Sequence, residues 1–269
     1  MSGPGPRSSL RRWFPFGTAD DARVRLLCVP HAGAGASTFL PWREQLAPEI
    51  GVCPVQLPGR ETRLNDRPYR RLRDLIPELL TASLPLADRP LALFGHSMGA
   101  LIVFELARSM RAAGMPLPTQ LYVSGRTAPQ IRDAHTAMFK LSDAELLAEL
   151  RVLGGTPRAV LDDPAVMAKF LPFLRGDLEL NENYAFADEP PMPVPVTVFG
   201  GEADPRALPE ELVAWSFITA GRFEVRMLPG DHFAVFQRAD VVLKHMRSGL
   251  ADDWRPTDAQ GGGRAEAIW

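Results

Sequence analysis

The stretch LALFGHSMGALIVFEL, Leu91 to Leu106, decides how this chain reads. It is apolar almost throughout, yet its middle is Gly95-His96-Ser97-Met98-Gly99. Leu91 to Phe94 follows Arg89-Pro90 and reads as a short, fully buried strand. From Met98 the pattern turns helical and meets no breaker until Gly114-Met115-Pro116. Ser97 therefore sits at a strand-to-helix corner. A bare Gly-x-Ser-x-Gly also fits an ordinary core turn, and it is this context that favours chemistry. A serine at such a corner is held in a sharp, strained turn, and flanking glycines let other backbone pass close by. The helix that starts there directs free N–H groups and a positive dipole end at the hydroxyl. That suits a nucleophile whose reaction develops an oxyanion.

Composition narrows the class. The chain has 269 residues, is 46% hydrophobic and carries a formal net charge of −2. It is long enough for one α/β domain, and its charge gives no pull toward nucleic acid or an anionic membrane. The opening MSGPGPRSSLRRWFPFG has arginines but no apolar core of a secretory signal. No apolar run approaches the ~20 residues that span a bilayer. The expected compartment is the cytoplasm. Cys28 and Cys53 lie in strand-like runs and read as buried free thiols. No Cys/His cluster has metal spacing, so neither metal nor cofactor is expected.

Six apolar runs are candidate strands: Val24 to Val29, Val52 to Gln56, Leu91 to Phe94, Leu121 to Ser124, Val194 to Phe199 and Phe223 to Leu228. Helical patterns at Thr38 to Leu46, Leu72 to Leu84 and Met98 to Ala113 separate the first four. This alternation implies an α/β fold with a mostly parallel central sheet and helices on both faces. It breaks between about Asp133 and Pro190, a stretch with no strand. There Ser142 and Glu145 form a capping box, Asp163-Pro164 opens a further helix, and Pro172 should kink it. A helical insertion at this point reads as a lid over the sheet's carboxyl edge, or as a static subdomain. Residues 1–22 read as an extension whose aromatics Trp13, Phe14 and Phe16 pack on the body, followed by the main domain over 23–254. Residues 255–269 are poor in apolar side chains and are expected to be disordered.

A serine hydroxyl needs a base, and the base needs an orienting acid. Of five histidines, His96 adjoins the serine, His31 belongs to the loop after the first strand, His135 begins the insertion, and His245 lies in the closing helix. His232 remains, in a loop after the last strand, where catalytic groups of open α/β sheets collect. For the acid, Asp204 follows the preceding strand; Asp133 and Glu202 are rivals. Asp204 is favoured because it follows the strand directly before the one leading to His232; the order is then Ser97, Asp204, His232, that of α/β-hydrolases. Two N–H donors are needed for the oxyanion. Met98 supplies one, and Ala32 in VPHAGAGAS the other, with Gly33 second. That loop could instead cradle a phosphate, but it lacks the P-loop lysine and dinucleotide glycine spacing.

Together VPHAGAGAS, VQLPGRETR, FGHSMGALIVFELAR, LYVSGRTAP, LPFLRGDLELNENY, FGGEADP and GDHFAVF resemble the type II thioesterases. These stand-alone proteins accompany polyketide synthases and non-ribosomal peptide synthetases. The resemblance runs in order from about Trp13 to Gly249. It implies an α/β-hydrolase fold with a helical lid, and a triad at Ser97, Asp204 and His232. It implies editing, in which stalled or aberrant acyl groups are hydrolysed from the phosphopantetheine arm of an acyl or peptidyl carrier protein, with no cofactor of its own; a monomer is compatible with the sequence, which leaves the oligomeric state open. Two departures are visible: Gly33-Ala34-Gly35 where the family more often has a glycine pair, and Asp231 where it often has glycine. Competing readings are a general esterase, a chain-releasing thioesterase and a non-catalytic synthase-binding protein. Met138, Phe139, Phe170 and Phe173 are candidate lining for an acyl channel under the insertion. The arginine-rich GRETRLNDRPYRRLRD, with Arg60, Arg63, Arg70 and Arg71, is the candidate docking face for an acidic carrier protein.

Overall fold

Six parallel strands make the centre of the chain: β1 (Val24–Val29), β2 (Ile50–Pro54), β3 (Leu91–His96), β4 (Gln120–Ser124), β5 (Val196–Gly201) and β6 (Phe223–Leu228). The computed structural model describes residues 6–131 and 137–252. The strand order is β2-β1-β3-β4-β5-β6. Every residue of β1 to β5 is buried, whereas β6, at the edge, is mostly half-exposed. That is why the strands read as continuous apolar runs: a parallel sheet is covered on both faces.

The two faces use alternate residues, as the pleat requires. Leu27, Val29, Leu93, Val123 and Val198 point into one core. Leu26, Cys28, Phe94, Tyr122 and Phe199 point into the other. The helices, in chain order, are α1 (Pro6–Trp13), α2 (Leu40–Leu46), α3 (Leu72–Ser83), α4 (Met98–Ala112), α5 (Asp143–Leu153), α6 (Arg158–Leu161), α7 (Pro164–Glu182), α8 (Pro209–Val213), α9 (Ala234–Gln237) and α10 (Ala239–Asp252). Helices α3 and α4 fill the first face; α2 and α10 fill the second. The strand order reverses at β1 and β3, so the loops leaving their carboxyl ends diverge and open a crevice between them.

The chain before β1 is tied down. Trp13 and Phe14 are buried, the Trp13 carbonyl accepts the Gln56 N–H at 2.8 Å, and Arg63 lies 4.6 Å above the Trp13 ring. Helix α1 was not expected from a Pro/Gly/Ser-rich start; proline at its first position is compatible with a helix because its missing N–H would go unpaired there.

Between β4 and β5, α5, α6 and α7 close on a core of their own: Leu146, Leu150, Leu161, Met167, Leu171, Leu174 and Leu178. The capping box forms, with Ser142 accepting the Glu145 N–H and Glu145 accepting the Ser142 N–H. Asp163 accepts the N–H groups of Ala165 and Val166. Each cap stabilises its helix by roughly 0.5–2 kcal/mol. Pro172 does not end α7, which continues to Glu182. Cys28 and Cys53 are buried free thiols on adjacent strands. Burial raises both, Cys53 to about 12. The expectation for residues 255–269 concerns a segment outside the described residues.

Candidate active site

Ser97 occupies the corner between β3 and α4, with φ 54° and ψ −115°. Few non-glycine residues adopt positive φ, and such strain persists only where surroundings enforce it. Here they do. The Ser97 N–H donates to the Ser124 carbonyl at 2.7 Å, and the Ser97 carbonyl accepts the Ala100 N–H at 3.0 Å. A Cβ on Gly95 would lie 2.1 Å from the Gly99 carbonyl oxygen. One on Gly99 would lie 2.1 Å from the Val29 carbonyl oxygen and 2.8 Å from that of Pro30. The glycines flanking the serine thus let the first turn of α4 press directly on β3 and on the loop leaving β1.

His232 and Asp204 come from the loops after β6 and β5. The His232 Nδ1 lies 2.8 Å from Asp204 Oδ2, and the Asp204 side chain is fully buried. The other carboxylate oxygen, Oδ1, accepts the Arg206 N–H at 2.9 Å. Asp204 is thus an acceptor fixed from both sides. Asp231, next to the histidine, is occupied elsewhere: Oδ1 accepts from the Phe233 N–H and from Gln237. The rival acid Asp133 and His135 lie outside the described residues.

Ser97, Met98, Ala32 and His232 line one pocket. The Gly33 N–H donates to Asp177 Oδ2 at 2.8 Å, so it is committed away from the serine. Ala32, the first choice from the sequence, lines the pocket together with Met98. The loop holding Ala32 leaves β1 and the serine leaves β3, the two strands at which the sheet reverses.

Two other histidines flank the base. His96 stands 4.9 Å from the His232 ring and 5.4 Å from His31. Burial, then the proximity of His232, pushes both below the ordinary histidine range, His31 to about 3. His31 is partly exposed as a residue, but its Nδ1 is enclosed. His232 therefore has the neutral His96 ring beside it, and His31 packs on His96 in turn. Gly125 makes room for His96 and His232: a Cβ there would meet His96 at 2.6 Å and His232 at 3.1 Å.

The insertion roofs the pocket. Met138, Leu150, Leu153, Phe170, Leu174 and Leu178 supply an apolar wall, and Arg126, Asn181, Glu182 and Arg206 a polar one. Of the four expected lining residues, Met138 and Phe170 are present. Phe139 and Phe173 are not. Phe139 packs within the insertion, and Phe173 sits 4.9 Å under the Arg60 guanidinium. Helical spacing could have sorted them: Phe170, Leu174 and Leu178 recur every four residues on one stripe of α7, and Phe173 and Asp177 on the next. The turn at Gly154-Gly155 presses on Phe233, since a Cβ on Gly155 would lie 2.2 Å from that ring.

The arginine segment divides. Arg60 and Arg63 are buried, so neither belongs to a docking face. Arg60 pairs with Asp177, and Arg63 donates to Asp66 and to the Gln56 carbonyl. Arg67, Arg70, Arg71 and Arg73 are exposed, with Arg70 bonded to Glu179 at 2.6 Å.

Comparison with known proteins gives a consistent picture. The family model described as Thioesterase domain matches residues 24–250. The gramicidin S biosynthesis protein GrsT of Aneurinibacillus migulanus is 40% identical over 240 residues, 89% of this chain and 94% of that protein. Among solved structures, the RedJ thioesterase of the prodiginine pathway in Streptomyces coelicolor superposes with a TM-score of 0.80 at 38% identity, covering 92% of this chain and 96% of that one. The type II thioesterase BorB from the borrelidin cluster gives 0.79 at 37% identity, covering 84% and 92%.

Proposed function

Since the chain belongs to the thioesterase domain family and is a thioester hydrolase, we propose that it edits a polyketide or non-ribosomal peptide assembly line, using Ser97, His232 and Asp204 to remove acyl groups from carrier-protein arms. The observation that carries the mechanism is the His232–Asp204 bond of 2.8 Å beside a serine in a strained corner of the same pocket.

The Ser97 hydroxyl attacks the thioester carbonyl while His232 Nε2 takes its proton. Asp204 holds the Nδ1–H, fixing the tautomer and stabilising the imidazolium. The Met98 and Ala32 N–H groups receive the oxyanion. Such donors are each worth about 2.7–4 kcal/mol in the transition state. The tetrahedral intermediate then expels the pantetheine thiolate, which takes the proton from His232. Water, deprotonated by His232, attacks the acyl-serine ester, and the acid leaves as Ser97 regains its proton. The apolar wall under the insertion receives the acyl chain. Docking of an acidic carrier is assigned to the exposed Arg67, Arg70, Arg71 and Arg73, near the end of α7.

Rates on an acyl-carrier protein, an acyl-CoA and a p-nitrophenyl ester of the same acyl group test this reading. The highest kcat/KM is expected on the carrier protein. A p-nitrophenyl ester turned over as well as the carrier-bound thioester would make the protein a general esterase instead.

A further inference from the structure

Helix α7 sends one acid into the body of the protein. Asp177 and its partner Arg60 are each 3% exposed. Arg60 Nη1 and Nη2 donate to the two carboxylate oxygens at 2.6 and 2.7 Å. A two-pronged pair of this kind fixes orientation as well as distance. Asp177 Oδ2 also accepts the Gly33 N–H at 2.8 Å, and Arg60 Nη1 also donates to the Ala34 carbonyl at 3.2 Å. The pair therefore grips two peptide groups just after Ala32. Arg60 is itself anchored, donating to the Pro58 carbonyl from Nε at 3.2 Å and from Nη2 at 2.9 Å. Gln56 adds a further hold, accepting the Ala36 N–H and donating to the Arg60 carbonyl.

The loop needs such a grip. Ala32-Gly33-Ala34-Gly35 has no side chain long enough to lock it, and Gly33 sits at φ +81°. Glycine there is free to rotate. An oxyanion donor works only if it is aimed before the charge develops. A buried ion pair is seldom the most stable filling for its site, because both charges lose water. Its orientation is what an apolar pair could not supply. We propose that Asp177 and Arg60 are positioning residues for the oxyanion loop, so that the lid helix α7 sets the aim of the Ala32 N–H. This rests on the reading of Ala32 and Met98 as oxyanion donors.

The test replaces the pair by apolar side chains, Arg60→Met with Asp177→Leu, which leaves no lone buried charge. Asp177→Asn is made alongside and keeps the volume constant. Active sites are titrated with a fluorophosphonate. Then kcat per titrated site, KM and the pH midpoint of kcat/KM are read on a small acyl-pantetheine thioester. Loss of a whole donor costs about 10²–10³ in kcat, so a misaimed one should cost about tenfold or more. KM and the pH midpoint should stay in place, because the acyl wall and His232 are untouched. A general folding defect would lower the number of titratable sites instead. If the double variant does not melt cooperatively, Asp177→Asn decides, assayed below its melting midpoint. Wild-type kcat per site in either folded variant overturns the proposal. Ser97→Ala in the same assay separates the claims. If it is active, the nucleophile reading fails. If it is inactive while the pair variants match wild type, that reading stands and the positioning role alone falls.

Discussion

Replacing Asp204 with asparagine should silence the enzyme by moving one proton. In the wild type, Oδ2 faces His232 Nδ1 at 2.8 Å while Oδ1 accepts the Arg206 N–H at 2.9 Å. A backbone N–H can only donate, so the asparagine oxygen must take the Arg206 side. The amide NH₂ then faces the histidine, and Nδ1 has to become an acceptor. The ring proton moves to Nε2, the atom that should receive the proton of Ser97. The same tautomer error in another serine triad lowers kcat by about 10⁴. At ~1.36 kcal/mol per tenfold, that is about 5.4 kcal/mol of barrier. The side chain keeps its shape and stays bonded, so the fold should survive. Thiol release from a small acyl-pantetheine thioester, followed beside a thermal melt, measures both. A well-folded Asp204→Asn enzyme that kept a tenth or more of wild-type kcat would refute the reasoning. Asp133→Asn should leave kcat near wild type; a large loss there would move the acid to the loop after β4.

Gly99→Ala places a Cβ 2.1 Å from the Val29 carbonyl oxygen, against backbone that cannot swing aside. It should lower stability by roughly 1–3 kcal/mol, as overpacking does, and cut kcat further by shifting Ser97; an unchanged urea midpoint would contradict the close approach. Histidines 31 and 96 are held neutral in the fold but accept protons near 6.5 when the chain unfolds. Stability from them is therefore complete above that pH and falls as pH drops below it, for His31 down to about 3, by up to ~1.4 kcal/mol per unit per histidine. Urea melts at pH 7 and 5.5 should show this, and His96→Gln should flatten the slope. Arg70→Glu with Arg71→Glu should lower kcat/KM for acyl-carrier protein at low salt and leave a small pantetheine thioester unaffected, since the energy is mostly steering screened over ~8 Å. Equal loss on both substrates would place the damage in the chemistry.

The strands were legible because burial on both faces leaves no polar alternation to confuse the reading. Their ends were less so. The fifth begins at Val196 rather than Val194 because Pro195 has no N–H to give the ladder. The second begins at Ile50, two residues early, and stops at Pro54. The serine corner is legible in Gly95-His96-Ser97-Met98-Gly99 set between an apolar run and a helical pattern, and the histidine and its acid in the loops that follow the last two strands. What local pattern could not reveal was the partner of a distant charge. Arg60 reads as a surface arginine until Asp177 is placed beside it, 117 residues away. Elimination sets His31 and His96 aside as bases, and only the packing of β3 and the loop after β1 brings the His96 ring against His232 and the His31 ring against His96.

Ser97 is expected to take acyl groups from a carrier arm and pass them to water. The most direct test of this is the intact mass of an acyl-phosphopantetheinyl carrier protein incubated with the enzyme and with Ser97→Ala. The wild type should remove the acyl mass and leave the arm in place. The variant, slowed by on the order of 10⁶ as in other serine triads, should leave the carrier loaded. Discharge by folded Ser97→Ala at the wild-type rate, or loss of the whole arm rather than its acyl group, would rule out Ser97 as the acyl acceptor.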